Sequence, residues 1–112
     1  MERETAQIIT DYMIECVESG TGRSARVSTI TVAGKTGTAE KTLVVDGRVV
    51  EGTDGFLIAF GPYESPKIAI TVVIENAGSG SSTAQVAADI FDYYFSTLDY
   101  VSSVQTDNTV IW

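Results

Sequence analysis

Lys35, Thr36, Gly37 and Thr38 place an ammonium, two hydroxyls and a bare α-carbon on consecutive residues, within the run Ala33-Gly34-Lys35-Thr36-Gly37-Thr38-Ala39-Glu40. Aliphatic and β-branched residues flank this run, from Val27 to Val32 and from Leu43 to Val45, which predicts that the segment between them is extended too. Glycines in an extended backbone leave N–H and C=O groups that a ligand can reach directly. Lys35 adds a positive charge, and Thr36 and Thr38 add short-range donors. Such a strand suits an anionic, extended ligand that lays itself along a sheet edge. A plainer reading stands beside this one. Gly34 and Gly37 would be bulge or bend positions, and Lys35 a solvated charge that keeps an edge strand from pairing.

Composition narrows the chemistry. With no histidine in 112 residues, Ser-His-Asp and Cys-His catalysis and histidine metal sites are excluded. A net charge of −8 argues against a nucleic-acid partner, which wants a basic face. The single cysteine, Cys16, cannot form an internal disulfide and is read as a small buried hydrophobe. No apolar run approaches the roughly 20 residues of a membrane helix, and Met1 to Glu18 lacks the layout of a signal peptide. A chain of this length builds one small domain.

The elements that must position the Lys35 segment follow from periodicity. Ile8, Ile9, Tyr12, Met13, Cys16 and Val17 form one stripe of a helix from about Glu4 to Glu18. Ser19-Gly20-Thr21-Gly22 ends it, with Gly20 as a left-handed cap. Val27 to Ala39 reads as strand. Asp46-Gly47, between Thr42–Val45 and Arg48–Val50, signals a tight hairpin turn. Phe56 to Phe60 reads as a buried strand, and Lys67 to Glu75 as a central strand covered on both faces. The prolines of Gly61 to Pro66 mark a turn between these two strands, short enough to make them antiparallel. Asn76 to Ser81 is Gly/Ser-rich and expected to be flexible. Ser82-Thr83-Ala84-Gln85 matches a capping box. Behind it Val86, Ala87, Ile90, Phe91, Tyr94, Phe95 and Leu98 recur at helical spacing, with the aromatics read as core. Residues 99–112 show no period and are expected to be a loosely docked tail beyond a unit of residues 1–98. The expected class is α+β. Three main antiparallel strands with a hairpin extension carry the N- and C-terminal helices on one face.

Lys35-Thr36-Gly37 is also the third motif of the penicillin-recognising serine enzymes, whose other two are S-x-x-K and S-x-N. The run Val32 to Glu40 closely resembles that motif in class B penicillin-binding proteins, the cell-wall D,D-transpeptidases. Gly55 to Pro62 and Pro66 to Asn76 are similar to the strand pair that follows it there. The resemblance extends from the first helix to the end of the last and implies a partial penicillin-binding-protein fold. In that family a serine of S-x-x-K attacks a D-alanyl-D-alanine stem peptide, and a second amine resolves the acyl-enzyme. β-Lactams acylate the same serine. By resemblance, Lys35 would bias the site positive and hold the hydroxyl of S-x-N. Thr36 and Thr38 would bind the terminal carboxylate of stem peptide or drug. The backbone N–H of Thr38 would be one of two oxyanion donors, and Gly37 would keep a β-carbon off the substrate strand. No metal or cofactor is implied.

The attacking half is missing. None of Val32, Thr38 and Glu64, three positions before Lys35, Lys41 and Lys67, is serine, and the residues two before Asn76 and Asn108 are Ile74 and Thr106. Neither partner motif therefore occurs. On this resemblance the chain reads as the C-terminal piece of a transpeptidase domain, with Met1 an added start, and is expected to be inactive alone. The parent would be membrane-anchored with its enzyme domain outside. The strand at Lys67 to Glu75 would have an open edge that pairs with the rest of the domain or, in the isolated chain, with a second copy. Two other readings remain: a fragment of a serine β-lactamase or β-lactam sensor, and a free-standing α+β interaction module.

Overall fold

The computed structural model describes the backbone of residues 1–106 and the side chains of residues 1–97. Helix α1 (Arg3–Ser19) leads through a short 3-10 turn (Arg23–Ala25) to strands β1 (Ala33–Val45), β2 (Arg48–Gly61) and β3 (Ile68–Ile74), and helix α2 (Ser82–Thr106) follows. The strands form one antiparallel sheet in the order β1-β2-β3. Both helices pack on one face of it, as the α+β reading expected.

The hairpin signal at Asp46-Gly47 has a clear backbone cause. Asp46 (φ 52°) and Gly47 (φ 77°) both take positive φ, as the two-residue turn that matches strand twist requires. The extension is not a separate hairpin. β1 and β2 pair without a break from Ala33↔Phe60 to Val45↔Arg48, so the expected extension and main strands are one long ribbon. Its start is later than the sequence pattern implied. Val27 to Val32 is irregular, because β2 stops at Gly61 and Pro62 offers no N–H to continue the ladder. Val27 and Ile30 instead pack against the core, and the Thr31 carbonyl accepts from the Tyr63 N–H at 2.9 Å.

The core lies between the helices and one sheet face. Val17 of α1, Leu57 and Ala59 of β2, Val72 of β3, and Ala84, Ala87 and Phe91 of α2 are buried there with Val32 and Ala25. The opposite sheet face is open, with Phe56, Ile58 and Val73 exposed. β2 and β3 are thus covered on one face only, and β3 is an outer strand. Continuous aliphatic sequence signalled strand correctly but overstated its cover. Only the last turn of α1 docks as well. Val17 is fully buried, while Tyr12 is 72% exposed and Ile8 and Ile9 are also open, so the first half of the helical stripe is left uncovered by the described residues. Cys16 is half-buried rather than buried.

Three local expectations are corrected. Gly20 is extended (φ −105°, ψ −152°), not left-handed. The end of α1 is closed by the Gly20 and Gly22 N–H groups, which both donate to the Cys16 carbonyl, at 3.0 and 3.1 Å. No capping box forms at α2, because Gln85 Nε2 donates to Asp89 Oδ1 at 3.1 Å, away from the helix start. The hydroxyls of Ser82 and Thr83 donate back to the carbonyls of Ser79 and Gly80 instead. Finally, α2 passes Leu98 and continues to Thr106; no glycine or proline occurs between Ser82 and Thr106 to stop it. Part of the segment read as a tail is therefore helical, and positions 107–112 lie outside the described residues.

Candidate active site

Among the described residues β1 is an outer strand, so its backbone groups on the side away from β2 have no strand partner there. The Lys35 segment lies at the inner end of this strand, where the end of α1 and the loop before α2 meet it. Side chains alternate along a strand. Gly34, Thr36 and Thr38 face the helices, and Lys35 and Gly37 share the open face with their partners Ile58 and Phe56.

Each position on the helix face touches a particular element. A β-carbon at Gly34 would lie 3.3 Å from Val17 Cγ2 and 3.2 Å from Ala59 Cβ, so glycine there lets the last turn of α1 come down on the sheet. Thr36 Oγ1 shares a hydrogen bond of 2.8 Å with Thr21 Oγ1, in the turn that closes α1. Thr38 Oγ1 accepts from the Gly80 N–H at 3.1 Å, in the loop that opens α2. Accepting that bond leaves the Thr38 proton uncommitted among the described residues.

The open face is different. The Lys35 side chain is exposed, and its Nζ donates to the Thr36 carbonyl at 2.7 Å. Among the described residues the ion pairs are Arg26–Glu18 (3.9 Å) and Lys41–Asp54 (2.7 Å), so no carboxylate neutralises Lys35. A β-carbon at Gly37 would meet only Phe56 Cβ, at 3.7 Å. That is ordinary contact, and nothing among the described residues demands glycine there. Neither glycine marks a bulge, since the pairing is unbroken through both. The structure thus brings Lys35, Thr36, Gly37 and Thr38 to one free edge.

The loop between β3 and α2 was expected to be flexible but is anchored. Asn76 (φ 54°) and Gly78 (φ 75°) turn the chain with positive φ, and the Asn76 N–H donates to Asp54 Oδ1 at 3.0 Å. A β-carbon at Gly80 would collide with the Gly37 carbonyl oxygen, and one at Gly55 would lie 2.9 Å from the Ser79 carbonyl oxygen. Glycines on both sides of this contact let loop and strand touch. The Lys41 ammonium first, and then the Asn76 N–H, hold the Asp54 carboxyl below the usual carboxylate range, against a smaller opposing effect of desolvation. Thr21, Gly80 and Asp54 were not singled out from sequence. The signals were present in Gly20-Thr21-Gly22 and Gly78-Ser79-Gly80, read there only as a helix end and a linker.

Comparison with known proteins fits this arrangement. The family model for the penicillin-binding protein transpeptidase domain matches residues 1–92. The chain belongs to that family. Peptidoglycan D,D-transpeptidase MrdA of Acinetobacter baumannii is 38% identical over 95 residues, covering 78% of this chain and 14% of the relative. Stage V sporulation protein D of Bacillus subtilis is 36% identical over 77 residues, covering 68% of this chain and 12% of the relative. The chain thus spans about a seventh of the length of the curated relatives it matches. Among solved structures, the penicillin-binding protein PBP2–MreC complex of Helicobacter pylori superposes with a TM-score of 0.70 at 32% identity, over 84% of this chain and 18% of that one. The D,D-transpeptidase domain of a peptidoglycan glycosyltransferase from Eggerthella lenta gives 0.58 at 28% identity, over 90% and 20%. This penicillin-binding protein segment corresponds to part of a class B transpeptidase domain.

Proposed function

We propose that β1 is the carboxylate-binding and oxyanion side of a peptidoglycan D,D-transpeptidase site, completed by a serine nucleophile that this segment does not supply. The observation that carries the reading is Lys35. It is an exposed ammonium on a strand edge with no carboxylate partner among the described residues, beside two threonine hydroxyls and an α-carbon that packing leaves open, in a chain of net charge −8. An anion would be drawn to this point of an otherwise acidic surface. In the proposed site Lys35 orients the approach of a D-alanyl-D-alanine stem peptide or a β-lactam. The Thr36 and Thr38 hydroxyls donate to its terminal carboxylate. The Thr36 carbonyl is reachable by Lys35, and backbone groups two residues apart on a strand point the same way. The Thr38 N–H therefore opens to that side, where it can donate to the oxyanion of the acyl-transfer transition state. Removing one such donor costs on the order of 100- to 1,000-fold in rate.

No histidine is present, and no lysine follows a serine by three positions, so the segment lacks the lysine partner that activates the serine of S-x-x-K. The segment by itself is therefore proposed to be inert. Incubation with a fluorescent penicillin followed by a denaturing gel tests this, and a covalent band on the isolated chain would overturn it. The outer edge of β3 is proposed to pair with the remainder of the transpeptidase domain, or with a second copy when the segment is alone. A monomer mass by light scattering at micromolar concentration would contradict the second part. No helix among the described residues is long and apolar enough to cross a membrane; anchoring with the enzyme domain outside is proposed for the parent protein.

A further inference from the structure

We infer that Thr21 is a positioning residue for the Thr36 hydroxyl, and that it sets how strongly the site prefers ligands bearing a free carboxylate. The inference rests on the reading of β1 given above. Thr21 sits in a turn whose backbone leaves it little freedom. The Gly20 and Gly22 N–H groups both close on the Cys16 carbonyl. A β-carbon at Gly20 would lie 2.9 Å from that oxygen, and one at Gly22 3.2 Å from Cys16 Sγ. The only side chain in this Gly-Thr-Gly turn is thereby aimed at the strand, where it meets Thr36 Oγ1 at 2.8 Å. Behind it Cys16 Sγ lies 3.6 Å from Thr21 Oγ1.

The three groups form a line in which each hydroxyl has one proton to give. In one direction Cys16 donates to Thr21, Thr21 donates to Thr36, and the Thr36 proton is left for a ligand. In the other direction Thr36 spends its proton on Thr21 and has only lone pairs to show. A carboxylate arriving at Thr36 selects the first direction, and the charge-assisted bond it accepts is the stronger kind. Donors in series also polarise one another. A neutral ester at the same place gains far less. Thr38 is tethered differently, by a backbone N–H that can only donate, so its proton is already available. Thr36 is thus the hydroxyl whose donor state depends on a neighbouring side chain, and Thr21 is that neighbour.

The test uses the whole protein that carries this segment, acylated by a penicillin and by the methyl ester of the same penicillin, with the second-order rate read for each. Thr21→Val is expected to slow the free acid about tenfold, the scale of one well-placed hydrogen bond, and to leave the ester within about twofold. Thr21→Ser, which keeps the hydroxyl, restores the acid rate. Thr21→Ala repeats the measurement should the valine variant fail to fold, and melting temperatures report on folding throughout. Equal slowing of acid and ester, or no change in either, would overturn the inference. Thr36→Val serves as the control for the reading beneath it. If that variant leaves the acid-to-ester ratio unchanged, the carboxylate assignment itself falls. If it collapses the ratio while Thr21→Val does not, only the role of Thr21 falls.

Discussion

The inner and outer halves of the β1–β2 ribbon share two strands and one register, yet they are held in different ways. From Ala33 to Glu40 the ribbon is clamped on its helix face by Val17, Thr21 and Gly80. From Lys41 to Gly52 it stands out as an arm whose valines face water on both sides, with Val44 73% and Val49 72% exposed. The arm helps to stretch the molecule to a radius of gyration of 17.8 Å, against roughly 13 Å for a compact chain of this length. Between the halves lies the Lys41–Asp54 pair, tied to Asn76. Strand pairing and a good turn are enough to make a ribbon. Aiming particular side chains takes contacts from outside the ribbon; among the described residues the inner half has several, whereas the arm is touched at its base, where Asn76 lies against Gly52.

Substitutions can sharpen or break this contrast. The largest effect is expected under the inner half, where Phe91→Ala empties a fully buried site and should cost about 3–5 kcal/mol in denaturant unfolding. Next comes Gly80→Ala, whose new methyl meets the Gly37 carbonyl oxygen. Its overpacking should cost about 1–3 kcal/mol and weaken the Thr38 tether, seen as faster amide exchange along Lys35 to Thr38. At the boundary, the Asp54 carboxyl is held below its ordinary range. The stability it contributes is therefore complete above the ordinary aspartate pKa and is lost as pH falls through the lower folded value. An acid titration of unfolding should show that loss, and Asp54→Asn should remove it. In the arm, Val49→Thr should change stability by no more than about 0.5 kcal/mol. A cost like that of Phe91→Ala would mean the arm is as firmly packed as the base.

Much of this fold was legible because it rests on local rules. The period of Val17 and Phe91, the turn at Asp46-Gly47 and the extended Lys35 segment follow from spacing and φ preferences alone. What escaped depends on partners distant in sequence. Nothing near Val73 says that one sheet face stays open, and nothing near Tyr12 says that Ile8, Ile9 and Tyr12 of the α1 stripe are left exposed among the described residues. Cover is supplied by other elements, so an aliphatic run reads the same whether it is enclosed or half-exposed. In the candidate site, Lys35, Thr36, Gly37 and Thr38 were recognisable by type and order. Their tethers were not, because Thr21 and Gly80 lie 15 and 42 positions away from the threonines they contact. Gly80 looked like a linker residue until its contact with Gly37 gave it a reason.

The most direct measurement is the rate of covalent labelling of the whole protein by a fluorescent penicillin, compared between Lys35→Ala in the clamped half of the ribbon and Val49→Thr in the arm. If the clamped half is one side of an acyl-transfer site, Lys35→Ala should slow labelling on the order of 100-fold while Val49→Thr leaves the rate unchanged. Labelling at the same rate in both variants would contradict it.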